Sequence, residues 1–198
     1  SWTHYPLLFH ELNSVTSELI FEDAKVEVHT IPLNHRIYTN GFLFKEKTGE
    51  RKLNFTAMSE YKEIEICDYQ NLKNGRDFIL KNGQILKNDK LTLDPRAPLS
   101  YAFCSDTSYF PDMIPQIKNV NCLYHETTFL KDKETLAFST KHSTAEQAAI
   151  IAKEAKVKQL IIGHYSGRYK NKEVFLAEAT PIFKNTLLAE EGNIYIIE

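Results

Sequence analysis

Three short apolar runs in the second half of the chain end on side chains that can bind metals. Asp106 follows Tyr101-Ala102-Phe103-Cys104-Ser105, His125 and Glu126 follow the run from Val120 to Tyr124, and His164 follows Leu160 to Gly163. His142 stands immediately before a capped helix, and His35 at the start of a strand. Imidazole nitrogens and carboxylate oxygens together form the donor set that zinc prefers and manganese can use. In open α/β folds such groups meet because the loops past the carboxyl ends of the strands share one rim.

Each residue also has an ordinary structural use. Asp106, before Thr107 and Ser108, can cap a turn or short helix, and His142, next to Ser143, can belong to a plain helix entry. His164 is better placed, since Gly163 beside it permits close approach of backbone or ligand. His29 competes with His35 for any role, and His125 can point into the core with its nitrogens hydrogen-bonded. His4 and His10 lack a strand-end setting and read as structural. The seven glycines build no Gly-x-Ser-x-Gly, Walker or Gly-x-Gly-x-x-Gly loop, and Cys-x-x-Cys is absent. Covalent nucleophiles and nucleotide cofactors are disfavoured accordingly. Spacing alone leaves a metal-dependent or carboxylate-driven hydrolase, or a binding module, with an α/β half.

The elements that must position these groups read as three stretches. Residues 1–44 hold strands at Glu18 to Phe21, Val26 to Ile31 and Ile37 to Phe44. Residues 45–94 are charge-dense and contain Asn74-Gly75 and Asn82-Gly83; the second pair, flanked by Ile79, Leu80, Ile85 and Leu86, predicts a hairpin. That stretch reads as an inserted arm. Residues 95–198 alternate strand and helix, with a helix opened by the reciprocal pair Ser143 and Glu146 and packed through Ala148, Ala149, Ala152 and Ala155. A further helix is expected over Glu173 to Ala179 and a closing strand over Asn193 to Ile197. The fold class is therefore α/β.

With 198 residues, 42% of them apolar, the chain can bury a substantial core. No apolar run is long enough for a membrane span, the longest being Ala148 to Ala152. Twenty-four basic residues against 26 acidic ones give a net charge of -2, so polyanion binding needs a local patch or bound cations. Cys67, Cys104 and Cys122 are widely spaced and odd in number, which suits a reducing cytoplasm.

Ser105-Asp106-Thr107, Tyr124-His125-Glu126-Thr127-Thr128-Phe129, Lys141-His142-Ser143-Thr144 with Gln147-Ala148-Ala149, and Gly163-His164-Tyr165-Ser166-Gly167-Arg168-Tyr169 occur in this order. Together they closely resemble ribonuclease Z, the tRNA 3′-processing endonucleases of metallo-β-lactamase fold. Upstream, Pro32-Leu33-Asn34-His35 before Gly41-Phe42 is similar to the segment holding that family's central metal-binding histidine. The resemblance implies an αββα sandwich, of which this chain is expected to be the C-terminal part. It also implies His35, Asp106 and His164 as ligands of two zinc ions, with Asp106 bridging, and Glu126 with His142 as general acid or proton shuttle. A tRNA precursor as substrate, a homodimer and a cytoplasmic location are implied with them. The residues 45–94 lie where the family's tRNA-binding arm projects, which makes Lys73, Arg76, Lys81 and Lys87 candidate tRNA contacts. Arg168 and Lys170, with Lys172, form a second candidate phosphate-contact cluster.

The family's His-x-His-x-Asp-His motif does not occur in the chain and is expected upstream of Ser1; no initiator Met opens the sequence. With three ligands for two metals, the isolated chain is expected to bind metal weakly and not to turn over. The rival expectations are a phosphodiesterase of the same fold with another substrate, and a non-catalytic RNA-binding or dimerisation piece.

Overall fold

The computed structural model describes residues 4–198; the first three residues, where the chain lacks an initiator Met, lie outside the described residues. The chain divides into two compact units, Ser1–Lys45 with Leu99–Glu198, and Glu46–Pro98.

The larger unit is built on one seven-stranded sheet: β1 (Leu19–Glu22), β2 (Val26–Pro32), β3 (Asn40–Glu46), β4 (Ser100–Cys104), β5 (Cys122–Glu126), β6 (Gln159–Gly163) and β7 (Thr186–Leu188). Spatial order follows chain order. β1 with β2 and β3 with β4 are antiparallel, while β4 through β7 run parallel. Three helices, α1 (Glu134–Thr140), α2 (Ala145–Glu154) and α3 (Glu173–Ala179), lie within the parallel half. Parallel neighbours need such crossovers, so their carboxyl ends fall on the same side.

The pleat sorts the strands into two faces. Leu43, Ala102, Cys104, Leu123, Leu160 and Ile162 share a fully apolar core with Ala148, Ala149, Ile151 and Ala152 of α2 and Phe175 and Ala179 of α3. The small alanine face lets α2 approach the sheet closely, as its spacing predicts. On the alternate positions Phe42 and Phe44 face Phe103 and Tyr101 across the β3–β4 pairing, and Tyr124 follows on β5. Phe103 stacks on Tyr124 at 4.7 Å and Phe44 on Tyr101 at 6.0 Å. This second face is aromatic and partly open, with Phe44 38% exposed.

The smaller unit carries the expected hairpin, Phe78–Ile79 against Ile85–Leu86, closed by Gly83 N–H donating to Leu80 O. Gly83 has φ +84°, a conformation that disfavours a side chain. Lys52–Leu53 pairs with Thr92–Leu93. Met58, Leu72, Leu86 and Leu91 form a core of its own.

Three expectations are corrected. The α2 capping box is Thr144 with Gln147, one residue beyond the expected Ser143 and Glu146. The third strand begins at Asn40, not Ile37. The last strand is Thr186–Leu188; residues 193–197 form none, and Ile194 and Ile196 are exposed. No described helix is long and apolar enough to cross a membrane.

Candidate metal centre

Ligand atoms of Asp106, Glu126, His142 and His164 all lie within 4.8 Å of one another. Asp106 follows β4, Glu126 ends β5, and His164 follows β6, so three adjacent parallel strands deliver their groups to one rim. His142 joins from the turn between α1 and α2. His35 sits beside the group rather than in it, its ring centre 5.1 Å from that of His142. The rings of His142 and His164 stack at 5.4 Å.

Backbone conformation sets the turns at this rim. Asp106, Lys141 and His164 each have φ 61°, in the left-handed region. Such a residue bears a cost on the order of 1–2 kcal/mol, and Asp and His tolerate the region better than most. Gly163 lets the strand pass Tyr124: a Cβ there would stand 2.3 Å from the Tyr124 hydroxyl.

Glu126 is the organiser. It is fully buried, and its two oxygens accept from Thr107 N (2.8 Å), His142 Nδ1 (2.7 Å), Thr128 N (3.2 Å), Thr128 Oγ1 (2.6 Å) and Ser143 N (3.2 Å). Burial alone would raise its pKa, but the hydrogen bonds from His142 and Thr128, with the nearby imidazoles, outweigh it and hold the carboxyl below its ordinary value. Both oxygens being engaged, Glu126 acts through its neighbours. The hydrogen bond to Glu126 raises the pKa of His142 against the opposing effect of burial.

These contacts fix histidine tautomers. A carboxylate and a carbonyl only accept, so His142 Nδ1 donates to Glu126 and His35 Nδ1 donates to Lys141 O at 2.8 Å. Thr128 gives its proton to Glu126 and so accepts from His164 Nδ1 at 2.8 Å. All three rings therefore keep Nε2 for chemistry, the orientation that outer hydrogen bonds impose on metal-ligating histidines. His164 Nε2 is 3.3 Å from Asp106 Oδ1, and both side chains are partly exposed. Ser143 Oγ donates to Thr107 O, and Ser108 N to Asn34 O, tying the loops around the rim together.

The other sequence candidates fall elsewhere or at the margin. Arg168 lies over the Phe129 ring at 5.8 Å, and that ring meets His142 edge-on at 6.3 Å. Lys170 is exposed on the same loop. In the smaller unit Lys73 pairs with Glu50 and Lys87 with Asp77, Arg76 donates to Asn71, and Lys81 carries no side-chain partner among the described residues. His125 is fully buried with Nδ1 donating to Glu126 O, and its Nε2 has no hydrogen-bond partner. Buried Cys104 and Cys122 have raised thiol pKa values, Cys122 at about 11, so neither is a reactive thiolate. The residues missed from sequence are Thr107, Thr128 and Ser143; each stands beside or within a run that carries a candidate ligand, but only three-dimensional contact reveals the hydrogen bonds to Glu126 and His164.

The chain is matched over residues 93–165 by the beta-lactamase superfamily domain. Its sequence is 44% identical to Ribonuclease Z of Phocaeicola vulgatus over 187 residues, covering 94% of this chain and 60% of that protein. It is 43% identical to Ribonuclease Z of Cytophaga hutchinsonii over 194 residues, covering 98% and 61%. Among solved structures, a metallo-beta-lactamase fold protein of Bacillus subtilis superposes with TM-score 0.57 at 15% identity, covering 88% of this chain and 51% of that one. Human tRNase Z, short form, superposes with TM-score 0.54 at 22% identity, covering 92% and 47%. The chain spans about three-fifths of the length of the curated relatives it matches. It therefore has the metallo-β-lactamase fold and is homologous, over nearly its whole length, to part of the ribonuclease Z family.

Proposed function

We propose that the protein to which this chain belongs is a zinc-dependent endoribonuclease that removes the 3′ trailer from tRNA precursors. The observation that carries the proposal is the rim of Asp106, His142 and His164 organised by buried Glu126, in a chain homologous to ribonuclease Z. An anionic oxygen 3.3 Å from an imidazole Nε2 whose Nδ1 is already anchored fits zinc chemistry. His35, Asp106 and His164 would hold the metal. Bound zinc supplies Lewis-acid stabilisation of phosphoryl oxygens and activates water.

The chain's own groups serve the departing side of the reaction. Water oxygen bonds to phosphorus and its proton passes to bulk solvent, the bond from phosphorus to O3′ breaks, and His142 Nε2 delivers a proton to O3′, to be replaced from solvent. The hydrogen bond from His142 Nδ1 to the Glu126 carboxylate favours the protonated ring and so stabilises the cation that donates. The products are a tRNA with a 3′-hydroxyl and a trailer with a 5′-phosphate. Arg168 and Lys170 would contact phosphates beside the rim. Lys73, Arg76, Lys81 and Lys87 would contact tRNA from the smaller unit, where ten basic residues stand against nine acidic ones, so the contact would rest on these local groups rather than on net charge. The homodimer and the cytoplasmic location rest on the family resemblance.

Three candidate ligands fall short of two closed sites, so the chain of 198 residues alone is expected to bind zinc weakly and not to turn over. Zinc titration giving tight stoichiometric binding would contradict this. The function is tested by comparing cleavage of precursor tRNA and of a small phosphodiester by the complete protein. Precise trailer removal supports the proposal, whereas cleavage of the small diester alone assigns another phosphodiesterase activity. Salt-sensitive tRNA binding without any cleavage assigns a binding role.

A further inference from the structure

A cleft of ≈ 570 Å³ opens beside His142, lined by Asn34, Ser108, Tyr109, Glu134 and Phe138 as well as His142 itself. Its size is within the range of sites that enclose a small organic molecule. All of these residues belong to the larger unit, and apart from His142 the metal cluster uses none of them.

Its walls have the chemistry of a base-binding site. Phe138 on α1 is 74% exposed, while its neighbour Ala137 is fully buried, so the ring is presented outward at the cleft. Tyr109, 36% exposed, comes from the loop after β4. Exposed aromatic rings beside a cleft serve as stacking platforms for nucleobases. Lys141 Nζ lies 5.8 Å from the Phe138 ring centre and 3.4 Å from Asn34 Oδ1, setting a cation at the same edge. Glu134 supplies an acceptor. Its Oε1 accepts from Gln147 Nε2, whose own Oε1 accepts from Thr144 N, whereas Glu134 Oε2 has no hydrogen-bond partner among the described residues. A carboxylate at that position suits an exocyclic amino group, as carried by adenine, cytosine and guanine but not uracil.

We propose that this cleft seats the base of the nucleotide whose 3′-oxygen departs, stacked on Phe138 with its amino group donating to Glu134. The side of the cut follows from His142, which lines the cleft and is the residue placed beside O3′ in the reaction proposed above. This assignment of a substrate subsite rests on the nuclease function proposed above.

The test is titration of the complete, metal-free protein with AMP, UMP and ribose 5-phosphate, followed by amide chemical shifts in NMR. AMP is expected to bind at least about 5-fold more tightly than ribose 5-phosphate, the lower end of what stacking of one base supports. Phe138→Ala should bring AMP down to the level of ribose 5-phosphate, and Phe138→Trp should retain it. Glu134→Gln should abolish the preference for AMP over UMP. Equal affinity of AMP and ribose 5-phosphate, no AMP binding at millimolar concentration, or unchanged AMP binding in a folded Phe138→Ala protein would each overturn the assignment. Should Phe138→Ala fail to fold, loss of AMP binding in folded Phe138→Trp decides against it. Because the titration needs neither metal nor turnover, it separates the two proposals. Base-dependent binding together with a complete protein that cuts no precursor tRNA removes the nuclease and leaves a nucleotide site, while trailer removal without base-dependent binding removes the cleft alone.

Discussion

Replacing Glu126 by Gln changes one atom of a fully buried group and should disturb the whole rim. The amide can be placed with its oxygen at the position of Oε2, where Thr128 N, Thr128 Oγ1 and Ser143 N still find an acceptor. Its NH₂ then faces Thr107 N–H and His142 Nδ1. His142 can adapt by moving its proton to Nε2, but the Thr107 N–H cannot. Stranding one buried donor costs about 1–3 kcal/mol, and exchanging a charge-assisted bond for a neutral one about 1 kcal/mol more. The expected destabilisation is therefore about 2–4 kcal/mol at neutral pH, by summing those two terms. The reversed placement sets NH₂ against three donors and is worse.

The pH dependence gives an independent check. Glu126 has a lowered pKa in the folded chain, so its stabilisation is present above the unfolded value of about 4.3 and is lost as pH falls through the folded value. His142 has a raised pKa, so its contribution is full below about 6.5 and is lost as pH rises through the folded value. Glu126→Gln should flatten both limbs and return the His142 titration to or below its ordinary range. Urea denaturation between acid and mildly alkaline pH, with the His142 ring followed by NMR, measures both. A variant within about 0.5 kcal/mol of the parent, the size of an inconsequential surface change, and with His142 still titrating high, would refute this account of Glu126.

Further outcomes are expected at other positions. Gly163→Ala should destabilise by about 1–3 kcal/mol, because the Tyr124 ring is held by its stack on Phe103 and cannot retreat freely; thermal melting measures this, and Tyr124→Phe should recover only part, since ring carbons also lie within 3 Å of the added methyl. In the complete protein, Lys81→Ala and Arg76→Ala should each reduce the slope of log affinity for precursor tRNA against log salt by about 0.9, and unchanged slopes would remove these residues from the proposed tRNA surface. Thr128→Val should free His164 Nδ1 and weaken zinc affinity of the complete protein by about 10-fold or more, the effect usual for loss of an outer hydrogen bond to a ligand; competition with a chelator reads it directly.

Strand-end residues were legible from sequence because short buried strands are nearly continuous apolar runs, as in Leu160, Ile161 and Ile162, and the polar residue that follows must emerge at the rim. The capping frame was not legible, because Ser143-x-x-Glu146 and Thr144-x-x-Gln147 are equally good locally. Tertiary contacts choose between them: Ser143 is spent on Thr107 O and Glu126, leaving Thr144 to cap. The branched and aromatic residues between Asn193 and Ile197 fit a closing strand locally, yet Ile194 and Ile196 are exposed, and the edge position belongs to Thr186–Leu188, too short to carry a pattern. Of the site, donor types and their order were visible. The five donors that converge on Glu126 come from four separate residues, up to 19 positions away, and no local rule assembles them.

The left-handed turns at Asp106, Lys141 and His164 have a consequence for any attempt to make this protein hardier. Glycine would relax the backbone at all three, and selection for heat resistance alone would accept it at each. At Lys141 the exchange leaves the carbonyl that holds His35 in place, whereas at Asp106 and His164 the same relief erases a donor. Hardening and metal chemistry thus pull in opposite directions at two of these turns, while at the third the exchange spares the metal donors and removes only the Lys141 cation beside the neighbouring cleft.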